Sequence, residues 1–322
     1  MIAGIELKEI PEAIDLLYSK QNILICNPKK PDGDSMGSAI ALYLSLKKLN
    51  KCVELYCPDK IPKKFSYLSG IKQFQQELDS NKFDLIITLD FGDIRGFALP
   101  SNIKSDNSLV MLNIDHHITN THFGDLNVVD PSSAACCEVV YFIIKGLGVN
   151  FDRDISTALL TGLSTDTGSF QHSNTSSRVL NIASILLSYG AKLKKITSEV
   201  YNNKSVPALK LWGLALERLQ FDKKRKISYS IITQDDFDAL QANLSDLEGA
   251  ITLLSNVPGS KATILFSEYD NKIKGSLRTE DDKVDVSKLA GYLGGGGHKK
   301  ASGFTLSGQI FSAPKGWKIV LV

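Results

Sequence analysis

The chain has 322 residues, of which 43% are hydrophobic and 22% charged, and it carries a net charge of +2. That balance is ordinary for a globular protein and excludes a disordered or collagen-like chain, and the length predicts two domains. So small a net charge gives no argument for bulk binding of nucleic acid, so any polyanion must be held by a local site.

The opening Met1-Ile2-Ala3-Gly4-Ile5-Glu6 has no basic start ahead of an apolar core, and no apolar run approaches the ~20 residues of a membrane span. A cytoplasmic protein with no membrane partner is expected. The run Ile23-Leu24-Ile25-Cys26 reads as a buried strand. Residues 35–49 place Met36, Ile40, Leu44 and Leu46 at helical spacing. Residues 52–57 read as a short strand, and residues 85–89 and 109–114 as strands whose unbroken apolar character suits a parallel sheet. Helical patterns follow at 134–145, 154–163 and 176–187. Strands alternating with helices predict an α/β fold, a parallel sheet with helices on both faces.

A boundary falls near Tyr189-Gly190, and residues 193–219 read as two helices broken at Val206-Pro207. Beyond them lie strand patterns at 226–233, 261–268, 272–278 and 301–306 and a helix at 286–293. The prediction is a first domain over residues 1–189, a helical linker over 190–218, and a smaller mixed α/β domain over 219–322. Cys26, Cys52, Cys57, Cys136 and Cys137 show no paired zinc spacing and read as reduced thiols.

In open α/β sheets, ligands bind at the carboxyl ends of the strands. Polar residues just past the strands are therefore the candidates for chemistry. Asp32-Gly33-Asp34 follows the first strand, Asp90 ends the strand at 85–89, and Asp115-His116-His117 ends the next. Asp166, in Thr165-Asp166-Thr167-Gly168, follows the apolar Ala158-Leu159-Leu160. Each has a structural alternative. Asp32 and Asp34 suit a turn and a helix N-cap, Asp90 a plain strand end, Asp166 an N-cap, and the tripeptide a set of satisfied core polar groups. Together they fit hard, oxygen-rich coordination with an imidazole, which favours manganese or magnesium over zinc. Several carboxylates at one point also call for cations, because like charges at ~4 Å repel strongly. Two cations close together can activate a water and stabilise a leaving oxygen.

The second domain carries Gly294-Gly295-Gly296-Gly297-His298-Lys299-Lys300. Backbone N–H groups of such a run can line an anion, and His298 and the lysines add donors. A flexible loop is the alternative. Ser276 and Arg278 alternate along a strand, with Arg278 a candidate for bidentate contact to phosphate or else a surface arginine.

In this order the motifs resemble those of the DHH phosphoesterases that carry the DHH-associated C-terminal domain. The resemblance covers nearly the whole chain. The compact form is similar to the nanoRNases that also act as pAp phosphatases, and the exonuclease RecJ is a larger relative. The resemblance implies a two-manganese site in the cleft between two domains, with magnesium as a substitute. Asp32 would ligate one ion, Asp34 the other, and Asp90 would bridge them. His116 and Asp166 would complete the second ion. His117 would contact the scissile phosphate, with Asp115 orienting the histidine pair. Arg278, Ser276, Gly295, Gly296, Gly297 and His298 would grip the substrate. One position departs from the pattern: where the family has a ligating histidine four residues before the first aspartate, this chain has Pro28. The first ion is thus expected to bind more weakly.

The reading is a metal-dependent phosphoesterase acting on short RNA oligonucleotides, on small nucleotides such as pAp, or on both. A linear or cyclic dinucleotide phosphodiesterase stands beside it, as does a nucleotide-binding protein whose catalysis is impaired at Pro28. An inorganic pyrophosphatase is disfavoured, because the glycine run with His298 suits the gripping of a nucleotide. The oligomeric state, a homodimer included, stays open.

Overall fold

The computed structural model describes residues 7–78, 83–93, 109–297, 299–313 and 316–321. The chain forms two compact units, Met1–Asn203 and Lys204–Val322.

The first unit contains the strands β1 (Asn22–Cys26), β2 (Cys52–Tyr56), β3 (Phe74–Gln75), β4 (Leu85–Leu89), β5 (Val110–Asp115) and β6 (Leu126–Val129). Its helices are α1 (Glu9–Ser19), α2 (Gly33–Lys48), α3 (Cys136–Gly146), α4 (Arg153–Asp166), α5 (Ser177–Ser188) and the short α6 (Leu193–Ile196), which runs into a π-helical turn at Thr197–Tyr201. The strands pair in parallel in the order β3-β2-β1-β4-β5-β6. A continuous core joins Ile23, Ile25, Ile87, Leu89, Leu112 and Ile114 from the sheet to Met36, Ile40, Val140, Ile144, Leu159 and Leu163 from α2, α3 and α4. The opposite side of the sheet closes on a smaller cluster of Leu24, Cys26, Tyr56, Leu78, Ile86 and Phe91. Alternate residues of one strand thus feed two cores, which is why the strands read as unbroken apolar runs.

The order of strands sets where a site can form. From β1 the chain moves outward to β2 and β3, then returns to the other side of β1 for β4. The connections after β1 and β4 leave in opposite directions, so a crevice opens between their carboxyl ends.

The second unit contains α7 (Val206–Glu217), β7 (Gln220–Asp222), β8 (Ile227–Ile232), α8 (Gln234–Leu240), α9 (Ala250–Leu254), β9 (Ala262–Tyr269), β10 (Lys272–Arg278), α10 (Val286–Tyr292), β11 (Gly296–Gly297), β12 (Ala301–Ala313) and β13 (Gly316–Leu321). Its sheet is mixed: β8 and β9 are parallel and the other pairs antiparallel. Leu211, Ala215, Phe237, Leu254 and Leu265 form one core and Leu277, Val286, Ala290 and Phe304 another. The chain is therefore an α/β protein with a flanked parallel sheet and a smaller mixed α/β unit.

Two local expectations are corrected. Residues 193–219 do hold two helical stretches, but the break falls at residues 202–205, ahead of Val206-Pro207. Ser205 caps α7 by accepting from the Ala208 N–H at 3.1 Å, and the proline sits in the first turn, where its missing N–H costs nothing. The last strand pattern is also longer than its apolar core suggests: β12 runs to Ala313 and turns into β13.

Candidate metal centre

Four chain segments deliver carboxylates or imidazoles to the carboxyl ends of β1, β4 and β5. Asp32 is the N-cap of α2; its Oδ1 accepts the N–H groups of Asp34 and Ser35, each at 3.0 Å. The capping alternative for Asp32 is thus realised, and it engages one carboxyl oxygen. Asp34, in the first turn of α2, is fully buried and is held by the amino end of α3: Cys136 N–H donates to Oδ2 at 2.5 Å and Cys137 N–H to Oδ1 at 2.9 Å. A carboxylate at a helix amino end gains from the unpaired N–H groups and the helix dipole.

Asp90 follows β4 in the left-handed region, at φ 64, which aspartate tolerates better than most residues. It is buried, and its Oδ1 makes no hydrogen bond. Asp166 is the last residue of α4, so the N-cap alternative fails: the residue closes a helix and does not open one. Asp115 ends β5 and is also buried.

The two imidazoles divide their nitrogens in an ordered way. His116 Nδ1 lies 3.3 Å from Ser133 O, which makes Nδ1 the protonated donor. Its Nε2 then faces Asp166 Oδ2 at 3.3 Å, Asp90 Oδ1 at 3.6 Å and Asp34 Oδ2 at 3.8 Å. A lone pair aimed at three carboxylates makes sense when a cation stands among them. His117 Nδ1 instead donates to Asp115 Oδ1 at 2.8 Å, so the chemistry of this ring falls to Nε2. Two ligand-like groups result, Asp34-His116-Asp166 and Asp90-Asp115-His116-His117, sharing His116. Asp32 belongs to neither, although its charge reaches Asp90.

The electrostatics support a cation here. Burial pushes the Asp90 carboxyl well above the ordinary range, and the charges of Asp32, Asp34, Asp166 and Asp115 push it further. Burial does the same to Asp166, reinforced by Asp34 and Asp32. Asp34 is raised by burial too, with His116 opposing. Asp115 goes the other way. Burial would raise it, but the hydrogen bond and charge of His117, with donors from Asn120 and the His116 N–H, hold it below the usual range. These residues fit a divalent ion bound through oxygen and one imidazole.

A second layer holds the first, and its members were not singled out in the sequence. Asn120 donates to Asp115 Oδ2 at 2.6 Å and to Phe91 O at 2.8 Å, which ties the loop after β5 to the loop after β4. Ser133, whose carbonyl orients His116, donates its hydroxyl to Asp130 Oδ2 at 2.7 Å. Glu138 is fully buried; it accepts from Ala134 N–H at 2.7 Å and pairs with Arg178 Nε. Asn174 reaches both Ala134 O and Asp166 O at 3.2 Å, and His172 Nδ1 lies 3.3 Å from Asp166 O. A signal existed for Glu138, a charge inside an apolar helix face. None marked Asn120 or Ser133.

In the second unit, Ser276 and Arg278 lie two apart on β10, and β12 pairs with both β10 and β11. Ser276 faces Gly303, which in turn faces Gly296; Leu277 faces Ser302, which faces Gly297. The glycine run is therefore not a flexible loop. Gly296 and Gly297 form a short strand, and a Cβ on Gly295 or Gly297 would lie within 2.8 Å of Phe304 Cβ or 2.7 Å of Ser302 Cα respectively. Arg278 Nη2 donates to Thr252 Oγ1 at 3.2 Å, while its buried Nε has no acceptor. His298 lies outside the described residues.

Comparison with known proteins places these features in a family. Residues 22–163 match the model of the DHH family, N-terminal domain, and residues 226–313 that of the DHHA1 domain. The chain is 32% identical over 288 residues to the bifunctional oligoribonuclease and PAP phosphatase NrnA of Thermus thermophilus, covering 89% of this chain and 84% of that protein. An exopolyphosphatase-related protein from Bacteroides fragilis has a crystal structure that superposes with a TM-score of 0.85 at 25% identity, over 92% of this chain and 90% of that one. RecJ of Thermus thermophilus in complex with Mn2+ shares the fold at a TM-score of 0.51 and 14% identity, over 94% of this chain and 53% of RecJ.

Proposed function

The chain belongs to the DHH family, and we propose that it is a manganese-dependent phosphoesterase that hydrolyses short oligoribonucleotides and pAp in the cytoplasm. The observation that carries this reading is His116 Nε2 facing Asp34, Asp90 and Asp166 at the crevice between β1 and β4. Asp34, Asp90, His116 and Asp166 would hold one ion, and Asp32 with Asp90 the other. When bound, divalent cations supply an activated water and stabilise charge on the phosphoryl oxygens.

The other roles fall to the chain's own groups. Burial alone would lower the His117 pKa, but the hydrogen bond and charge of Asp115 outweigh it and raise it. The same Nδ1–Asp115 hydrogen bond fixes the ring, which leaves Nε2 as the nitrogen to meet a phosphoryl oxygen. Asp115 is the positioning residue, since its oxygens are spent on His117, Asn120 and the His116 N–H. Arg278, Ser276, Gly295, Gly296, Gly297 and His298 would bind nucleotide and phosphate. The division into a metal-binding domain over 1–189, a helical linker over 190–218 and a substrate-binding domain over 219–322 belongs to the same reading.

A panel of di- to pentanucleotides, pAp and linear and cyclic dinucleotides, assayed with manganese and with magnesium, tests it. The loss of the motif imidazole at Pro28 favours one other reading, a nucleotide-binding protein without turnover. Binding of these substrates with no hydrolysis in either metal would select it.

Manganese should support faster hydrolysis than magnesium at saturating metal, because imidazole nitrogen suits manganese better than magnesium. Equal turnover with magnesium would count against the ligand set. Arg278→Ala should raise KM for a dinucleotide roughly tenfold, the worth of one charged hydrogen bond, with kcat little changed. A fall in kcat at constant KM would move Arg278 from binding into the transition state.

A further inference from the structure

Pro28 brings no side-chain ligand, yet the residue before it has an unusual environment. Asn27 directly follows β1 and is 2% exposed. Its backbone N–H completes the pairing with β2 by donating to Tyr56 O at 2.9 Å. Its side-chain Nδ2 reaches Met36 Sδ at 3.6 Å, and its Oδ1 is buried with no donor. In this orientation the amide nitrogen meets the thioether, and the oxygen is the group without a partner. Among the described residues, five buried side-chain oxygens lack a partner. Three are hydroxyls, of Ser156, Thr175 and Ser302. The two that can only accept belong to Asn27 and Asp90.

These two flank the same crevice. Cys26 pairs with Thr88 across β1 and β4, so Asn27 and Asp90 leave adjacent strand ends at the switch point. Met36, beside the Asn27 amide, bonds back to Asp32 O at 3.2 Å, which brackets Asn27 between the α2 cap and β4. Leaving a buried amide or carboxylate oxygen unpaired forfeits its hydration with nothing in return. One cation between the strand ends would satisfy both at once. Lys29 and Lys30, the neighbouring polar residues, are exposed, and the Lys30 N–H is held by Asp59 Oδ2 at 2.9 Å.

We infer that Asn27 Oδ1 is a ligand of a divalent cation at the crevice between β1 and β4, together with Asp90 and the Asp32 carboxylate. The assignment rests on the metal-dependent reading of the site. A neutral amide oxygen binds a hard cation less firmly than a carboxylate, so this ion is the weaker of two.

The test is manganese titration of the full chain by calorimetry, with no activity readout. The unaltered protein should take up two ions of unequal affinity. Asn27→Leu, similar in volume and without donor atoms, should weaken the looser ion about tenfold or more and leave the tighter one unchanged. Its metal-free Tm should equal or exceed that of the unaltered protein, because an orphaned oxygen has been removed. Asn27→Asp should tighten the looser ion and serves alone if the leucine variant does not fold. Unchanged affinity of the looser ion in either variant overturns the inference and leaves the proposed function standing. So does equal weakening of both ions with a fall in metal-free Tm. Failure of the unaltered protein to bind manganese overturns both.

Discussion

Asp90→Ala should reduce turnover by roughly 10²–10³-fold or more, the scale set by removal of a single electrostatic stabiliser of a transition state. The larger end follows from the proposed sharing of Asp90 between two ions: it follows β4 beside β1, and its Oδ1 lies 3.6 Å from both His116 Nε2 and His117 Nδ1. The metal-free protein should respond in the opposite sense. Burial and four neighbouring carboxylates raise the folded-state pKa of Asp90. A group raised on folding contributes stability at low pH and loses it as pH rises through the folded value. At neutral pH its ionised form is therefore a burden, and Asp90→Ala should leave metal-free Tm equal or higher, with the gain shrinking as the solution is acidified. Loss of activity with a raised metal-free Tm separates a ligand from a structural residue. Retention of more than about a tenth of the activity would show that Asp90 is not shared between ions. A lower Tm that does not depend on pH would assign it to the fold.

Gly162→Ala should destabilise the protein by ~1–3 kcal/mol, as overpacking does, and weaken metal binding together with activity. An alanine in the middle of a helix ordinarily stabilises by ~1 kcal/mol relative to glycine, so propensity alone gives the opposite sign. Gly162 lies within α4, where that helix crosses α2. A Cβ there would overlap Cys137 Sγ and come within 2.6 Å of Asp34 Oδ1. Asp34 cannot retreat, since the amino end of α3 holds both its oxygens. The facing Gly37 is equally tight, with its Cβ position 3.0 Å from Cys137 Sγ. Urea unfolding and manganese calorimetry on the same samples check the result. A more stable variant with unaltered manganese affinity would refute it.

Asp90 and Gly162 differ in how legible they are. Asp90 is visible in the sequence because it ends an apolar run, and a strand end in an α/β sheet is where ligands bind. Gly162 looks like a mildly unfavourable helix residue, because its neighbours Asp34 and Cys137 lie 128 and 25 residues away in the chain. The same distance hides Asn120, Ser133 and Glu138, each defined by what it touches. Asp166 shows an intermediate case. Its place near an apolar stretch is readable, but its position at the end of α4 and not at a helix start depends on how far the helix continues past Leu163.

The sequence by itself determined the periods of the apolar runs, and hence the α/β character of the first unit, the mixed second unit and the acidic and imidazole residues at element ends. Those are local properties, carried by one face of one strand or helix. Only the tertiary structure decided the strand order that places β1 beside β4, the turn of His116 Nε2 toward three carboxylates, and the pairing of Gly296 and Gly297 with β12. Each depends on packing between segments far apart in the chain. A side chain's buried partners are fixed by that packing, and its local sequence carries no record of them.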